Sequence, residues 1–175
     1  MKDLRLGPVL TAVAIVFAFA ASGAAPALGA DHDAGARLHF RAAFVATTAG
    51  FDPSCGLLVV VTGGAAQGTH IGTGTWSDHE CVDPFSLFPQ VHVVGVGTAT
   101  AANGDQLVVD YDATADPPDP ITMVIHPRGT FTVDPDASTG RFAGATGGGS
   151  LAVDGFAGGS ETAVFDGTIV LGNGH

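Results

Sequence analysis

Positive charge is what this chain has least of. Its 175 residues carry six lysines and arginines against seventeen aspartates and glutamates. Past residue 30 there is no lysine, and Arg37, Arg41, Arg128 and Arg141 face sixteen acids, a net charge of −12. Binding to a polyanion needs clustered cations that release counterions from phosphate. Nucleic acid and anionic membrane surfaces are therefore not expected partners. The chain also lacks sustained 3.6-residue apolar periodicity beyond residue 31, which argues against a helical bundle or an α/β layer. No Gly-x-Ser-x-Gly elbow nominates a serine hydrolase. No HExxH or paired CxxC spacing nominates zinc, so no metal or cofactor is expected from motifs.

One long hydrophobic run exists, at the start. Lys2 and Arg5 precede the apolar segment Leu6 to Ala21, and small residues follow from Ser22 to Ala30. A basic head, an apolar middle and a small-residue exit describe a secretory signal peptide. Cleavage after Ala27, Gly29 or Ala30 is compatible with the pattern, and Ala30 is preferred. Pro26 and the glycines oppose a continuous spanning helix, so no stable membrane insertion is expected after cleavage. The expectation is a signal peptide over 1–30 and one secreted domain over 31–175. That length buries roughly 70 % of its unfolded surface.

What remains is rich in Val, Thr, Ile, Phe and Gly. Strands are expected near 38–48, 57–62, 69–77, 91–100, 106–113, 121–126, 130–133, 150–153 and 161–171. Asn103-Gly104 predicts a type I′ turn joining two antiparallel strands. Eight or nine short strands in one small domain mean a barrel or a sandwich. Alternating glycines in "THIGTGTW" and "VGVGT" favour closure, because they let strands bend, and point to a small antiparallel β-barrel of about eight strands. Two segments resist strand assignment: the proline-bounded "CVDPFSLFPQ", whose Phe85, Leu87 and Phe88 should cap the core or line a pocket mouth, and the acidic turn "DATADPPDP". Cys55 and Cys81 flank two strand-like runs around a glycine turn. A hairpin there brings both to its open end, and a disulfide is preferred over a free thiol or a metal pair.

The glycine cluster "STGRFAGATGGGS" lacks the lysine and following helix of a phosphate loop, and no βαβ unit surrounds it. It reads as a structural turn of Gly140, Arg141, Phe142, Gly144 and Gly147, with Phe142 anchoring it in the core and Arg141 at the surface. The segment resembles the signature of bacterial secreted proteins with an allene oxide cyclase-like, dirigent-like β-barrel. Gly68-Thr69-His70-Ile71-Gly72, Asn103-Gly104-Asp105 and Phe165-Asp166-Gly167-Thr168-Ile169 fit the same pattern, which spans about 38–171. The resemblance implies a barrel whose interior holds a reactive small molecule. It assigns no catalytic residue, because the acidic and arginine site positions of the cyclase and dirigent proteins find no match here, and the Pro- and Phe-containing loop with Cys81 departs from the pattern.

Three further constellations invite chemistry. His79 and Glu80 beside Cys81, with His70 and His92, lack the convergent spacing of a zinc site. Asp110, Asp112, Asp116 and Asp119 do not meet the EF-hand positions, and a looser surface calcium site stays open beside a solvated acidic loop. His70 and Trp76 share a strand face, as lining for a small cavity or as core packing. The expected function is a small apolar ligand-binding or scaffold protein. A cyclase- or dirigent-type enzyme and an envelope or matrix component are the alternatives.

Overall fold

The computed structural model describes residues 35–172, so the signal-peptide and cleavage expectations lie outside the described residues. The described chain is a meander of strands: β1 (Ala36–Phe51), β2 (Leu58–Gly68), β3 (Gly72–Leu87), β4 (Gln90–Ala101), β5 (Gln106–Ala115), β6 (Val124–Ile125), β7 (Arg128–Val133), β8 (Thr146–Phe156) and β9 (Ser160–Val170). Every neighbouring pair is antiparallel. β9 pairs with both β8 and β1, which closes the sheet. β6 and β7 lie end to end along β8 with Pro127 between them, where a residue without an N–H cannot continue the ladder. The nine strands therefore make a closed barrel of eight staves.

Alternation sets the interior. Leu38, Phe40, Ala42, Phe44 and Ala46 of β1 are buried, while the residues between them are exposed. The same period carries Leu107, Val109, Tyr111, Ala113 and Ala115 of β5 inward. One end of the lumen is filled by rings. Phe40 and Phe165 stack with centroids 4.3 Å apart, and Trp76 packs on Phe40 at 5.9 Å and on Phe165 at 5.1 Å. Phe131 meets Phe165 edge-on at 5.4 Å. Each such ring contributes roughly 1.5–3 kcal/mol by burial, and each good ring pair about 0.5–1.5 kcal/mol more.

The glycine turn closes the same end. Gly140 to Phe142 form a short 3-10 turn, and Phe142 is fully buried. Gly140 and Gly144 have φ of 60° and 69°, backbone that side chains rarely adopt, while Gly147, expected in the turn, already belongs to β8, where it pairs with Ile169 at φ 146°. Arg141 reaches Asp105 at 3.5 Å. Two other glycines do something the sequence pattern does not reveal. A Cβ on Gly97 would lie within the Trp76 ring, and one on Gly95 within the Tyr111 phenol. They make room for rings on neighbouring strands as well as easing curvature.

Three local expectations are corrected. Asn103 is not left-handed; the β4–β5 loop has one such residue, Gly104 at φ 90°, with Ala101 and Asp105 bonded across its base. This is the geometry of a three-residue loop, not of type I′. The segment 81–87 is strand: β3 continues to Leu87, with an irregularity between Asp83 and Leu87 that absorbs Pro84. His70 sits before β3, in the turn between β2 and β3, with φ 63°.

The disulfide joins Cys55, in a short 3-10 turn before β2, to Cys81 on β3, with Cα atoms 4.8 Å apart. Its position follows from register, since Cys81 pairs with Val59 at the open end of the β2–β3 hairpin. A Cys55→Ser, Cys81→Ser double variant is expected to lose about 3 kcal/mol in chemical denaturation, the chain-entropy value for such a loop. Gly97→Ala should lose about 1–3 kcal/mol by crowding Trp76, whereas Gly63→Ala, open on all sides, should unfold like the parent protein.

Candidate binding cavity

Strand β3 carries the site on one face. Gly74, Trp76, Asp78, Glu80 and Val82 alternate with outward residues, so consecutive inward positions run from ring plug through two acids to an apolar wall. Above the plug the lumen is open, with a cavity of about 280 Å³. Its walls include Val60, Val82, Val93, Ala113, Leu151 and Val153. Glu80, Tyr111 and Glu161 are the groups that bring polar chemistry into its depth, and Asp116 joins from the β5–β6 loop. Such a volume lies near the lower end of small-molecule pockets, and eight staves enclose room for filling side chains or one small ligand.

Register explains how the polar groups meet. Glu80 of β3 pairs with Gly95 of β4, and Gly95 pairs with Tyr111 of β5. The phenol lies across the glycine, and its O–H donates to Glu80 Oε1 at 2.8 Å. One step towards the plug, Trp76 Nε1 donates to Asp78 Oδ2 at 3.0 Å. Asp78 Oδ1 is buried without a partner, as is the hydroxyl of Thr62, which pairs with Asp78 across the β2–β3 ladder. Glu161 enters from β9.

Burial pushes the Glu80 carboxyl up to about 8, helped by the negative charge of Asp78 and opposed by the Tyr111 hydrogen bond. Burial and then Asp78 push Glu161 up to about 7. Asp78 is also raised by burial; the nearby Thr62 hydroxyl and the Trp76 bond partly offset this, although Thr62 closes no hydrogen bond. Burial and then Glu80 hold the Tyr111 phenol in its protonated form. Among the described residues no cation answers these acids. Arg37 pairs with Asp166 at 3.2 Å, Arg128 with Asp154 at 2.7 Å and Arg141 with Asp105 at 3.5 Å, all outside the lumen, and Arg41 is an exposed outward residue.

His70 and Trp76 do not come together as a pocket lining. His70 belongs to the turn at the plugged end, and Trp76, 2 % exposed, is part of the plug itself. Neither borders the cavity. Phe85, Leu87 and Phe88 are exposed on the β3–β4 hairpin at the open end, and their neighbour Pro84 borders the cavity. Cys55, His79 and Cys81 place their ligand atoms within 4.8 Å of one another, but both sulfurs are spent in the disulfide. His92 bonds Asp112 at 2.9 Å, and one Asp119 oxygen accepts from Ile121 N, Thr122 N and Thr122 Oγ1 within its own turn. Among the described residues the four acidic-loop aspartates do not converge as a metal-binding group.

Asp78, Tyr111 and Glu161 were not singled out from the sequence, and Glu80 only as part of a zinc constellation that its spacing rejected. The signal was present in "TWSDHE": carrying the Trp76 face two alternations further reaches both acids. Ending the expected strand at Ser77 hid it.

The raised carboxyls carry a sign for stability. Glu80 and Glu161 hold their protons more tightly folded than unfolded, where 4.5 is the ordinary value. Their contribution is complete below that value and is lost as pH rises through about 7 for Glu161 and about 8 for Glu80. Thermal and urea unfolding between about pH 5 and 9 should show a loss of several kcal/mol, at about 1.4 kcal/mol for each unit by which a carboxyl is raised, and Glu80→Gln should remove more than half of it. A parent profile flat over that range contradicts the assignment. No family model, curated protein or solved structure matches the chain, so what the site does has to be argued from its own residues.

Proposed function

We propose that this protein is a secreted binding protein that holds a small, largely apolar molecule in the open half of its barrel. The observation that carries this is the blind cavity of about 280 Å³, apolar along its walls and polar in its depth at Glu80, Tyr111 and Glu161. Apolar walls supply affinity by removing ligand surface from water, and a few fixed polar groups orient one end of the ligand. The disulfide is consistent with an oxidising compartment, and the basic-apolar-small order of the first thirty residues supports export.

A second reading is catalytic. The Glu80–Tyr111 pair places a carboxyl with a pKa of about 8 beside a phenol, inside a cavity closed at one end by the ring plug. A group poised near neutrality can move a proton to or from a bound molecule. The resemblance to allene oxide cyclase-like and dirigent-like barrels favours the same idea, with the cavity imposing a conformation on a reactive intermediate. An envelope or matrix role draws less support, because the lumen is not filled from end to end.

Native mass spectrometry of the protein taken from its own culture medium is expected to show a bound small molecule. A single unchanged species favours carriage, and a substrate together with its isomer favours catalysis. Ala113 faces the cavity, and Ala113→Phe puts a ring into it. That variant should lose at least about tenfold in affinity for a neutral apolar fluorescent probe, with melting close to the parent's. Undiminished binding in a folded Ala113→Phe protein places the ligand elsewhere.

A further inference from the structure

The groups in the depth of the cavity are badly matched in kind. Glu80 and Glu161 bring four carboxylate oxygens to it, and Asp78, one alternation from Glu80 and just behind the lining, brings two more. The donors facing them are Tyr111, already given to Glu80, and Trp76 Nε1, already given to Asp78. Thr62, only 8 % exposed, turns an unpartnered hydroxyl towards Asp78, whose Oδ1 is buried and equally unpartnered. Buried polar atoms are nearly always satisfied, and this hydroxyl and carboxylate oxygen, one donor and one acceptor just behind the cavity lining, have only each other to turn to. Among the described residues no arginine enters the lumen, and His39, His79, His92 and His126 stand on outward positions or in exposed ion pairs.

We propose that the polar end of the cavity binds an organic ammonium group, and that the ligand is a protonated amine with a compact apolar body. This rests on the reading of the cavity as a ligand site and names the chemistry of its occupant. An ammonium offers three N–H donors and no acceptor, the complement of an acceptor-rich, cation-free cluster. A divalent metal fits less well, because the three carboxylates do not gather as a metal-ligating group among the described residues. A carboxylate-bearing ligand would meet like charge. With no ligand, protons stand in for the missing cation, and the raised Glu80 and Glu161 carboxyls express this. Amine binding then displaces a proton from the cluster to solvent. The titratable groups facing the bound ammonium are Glu80 from β3, Tyr111 from β5 and Glu161 from β9, with Asp116 at the mouth, and Asp78 stands behind the lining, one alternation from Glu80. From β2, β4 and β8 come only Thr62, glycine and aliphatic side chains.

Calorimetry of the purified protein with three probes of one shape tests this: cyclohexylmethylamine, cyclohexylmethanol and cyclohexanecarboxylate. Near pH 8 the amine should bind about tenfold or more tightly than the alcohol, as charge-assisted hydrogen bonds require, and the carboxylate more weakly than either. Amine affinity should climb between about pH 6 and 8.5 while alcohol affinity stays level, and protons should be released to the buffer. Glu80→Gln combined with Glu161→Gln should bring amine affinity down to that of the alcohol, with an unchanged circular dichroism spectrum and a single melting transition reporting the intact fold. Equal affinity for amine and alcohol, or an advantage that survives in the double variant, overturns the ammonium assignment and leaves the cavity reading standing. Failure of all three probes to bind overturns both.

Discussion

The ring plug of Phe40, Phe165 and Trp76 is the packing on which the rest of this molecule depends. Eight staves enclose a narrow lumen that side chains can fill completely. Here the large rings crowd into one half, locked by a 4.3 Å stack and by Phe142 folded in from the glycine turn. Smaller residues, valines and alanines, line the other half, which stays open. Without the plug the barrel would be a tube in which water could reach buried acids from both ends. With it, the lumen is a blind cavity.

Because the cavity is blind, its depth is poorly solvated, and that alone raises the carboxyls placed there. Burial is the leading cause at Asp78, Glu80 and Glu161 alike, with mutual repulsion second for the two glutamates. The protein spends stability to keep these groups, since an apolar floor of equal volume would cost less. Gly95 is part of the same arrangement: any side chain there would displace the Tyr111 ring that reaches across it to Glu80. A backbone position with no chemistry of its own thus decides where the hydroxyl points.

The two ends differ outside as well as inside. The plugged end is finished by the short β2–β3 and β4–β5 turns and by the Gly140–Phe142 turn, tied through Arg141 to Asp105. The open end carries the β1–β2, β3–β4, β5–β6 and β8–β9 connections, with Phe51, Phe85, Phe88, Ile121 and Phe156 exposed among or beside them, whereas the longest connection, 134–145, folds over the plugged end. The disulfide braces this end, where the β2–β3 hairpin would otherwise splay. A rigid closed end and loop-built mouth are a common division in barrels that hold ligands.

Much of this was legible in the residues themselves. Alternation of apolar and polar side chains, the Asn-Gly turn, and the cysteine positions around a glycine turn dictate an antiparallel meander with one disulfide. The glycine cluster declares itself a turn by what it lacks, a lysine and a following helix. These are local properties, decided within a few residues by backbone sterics and by the period of two. Which face of β3 looked inward, and how far the strand ran past Ser77, were not local. Closure through the β8–β9 and β9–β1 pairs placed Asp78 and Glu80 inside, and register through Gly95 brought Tyr111 to them from a strand thirty residues away. Only the folded barrel decided where rings end and open space begins, because that depends on how side chains from distant strands share one enclosed volume.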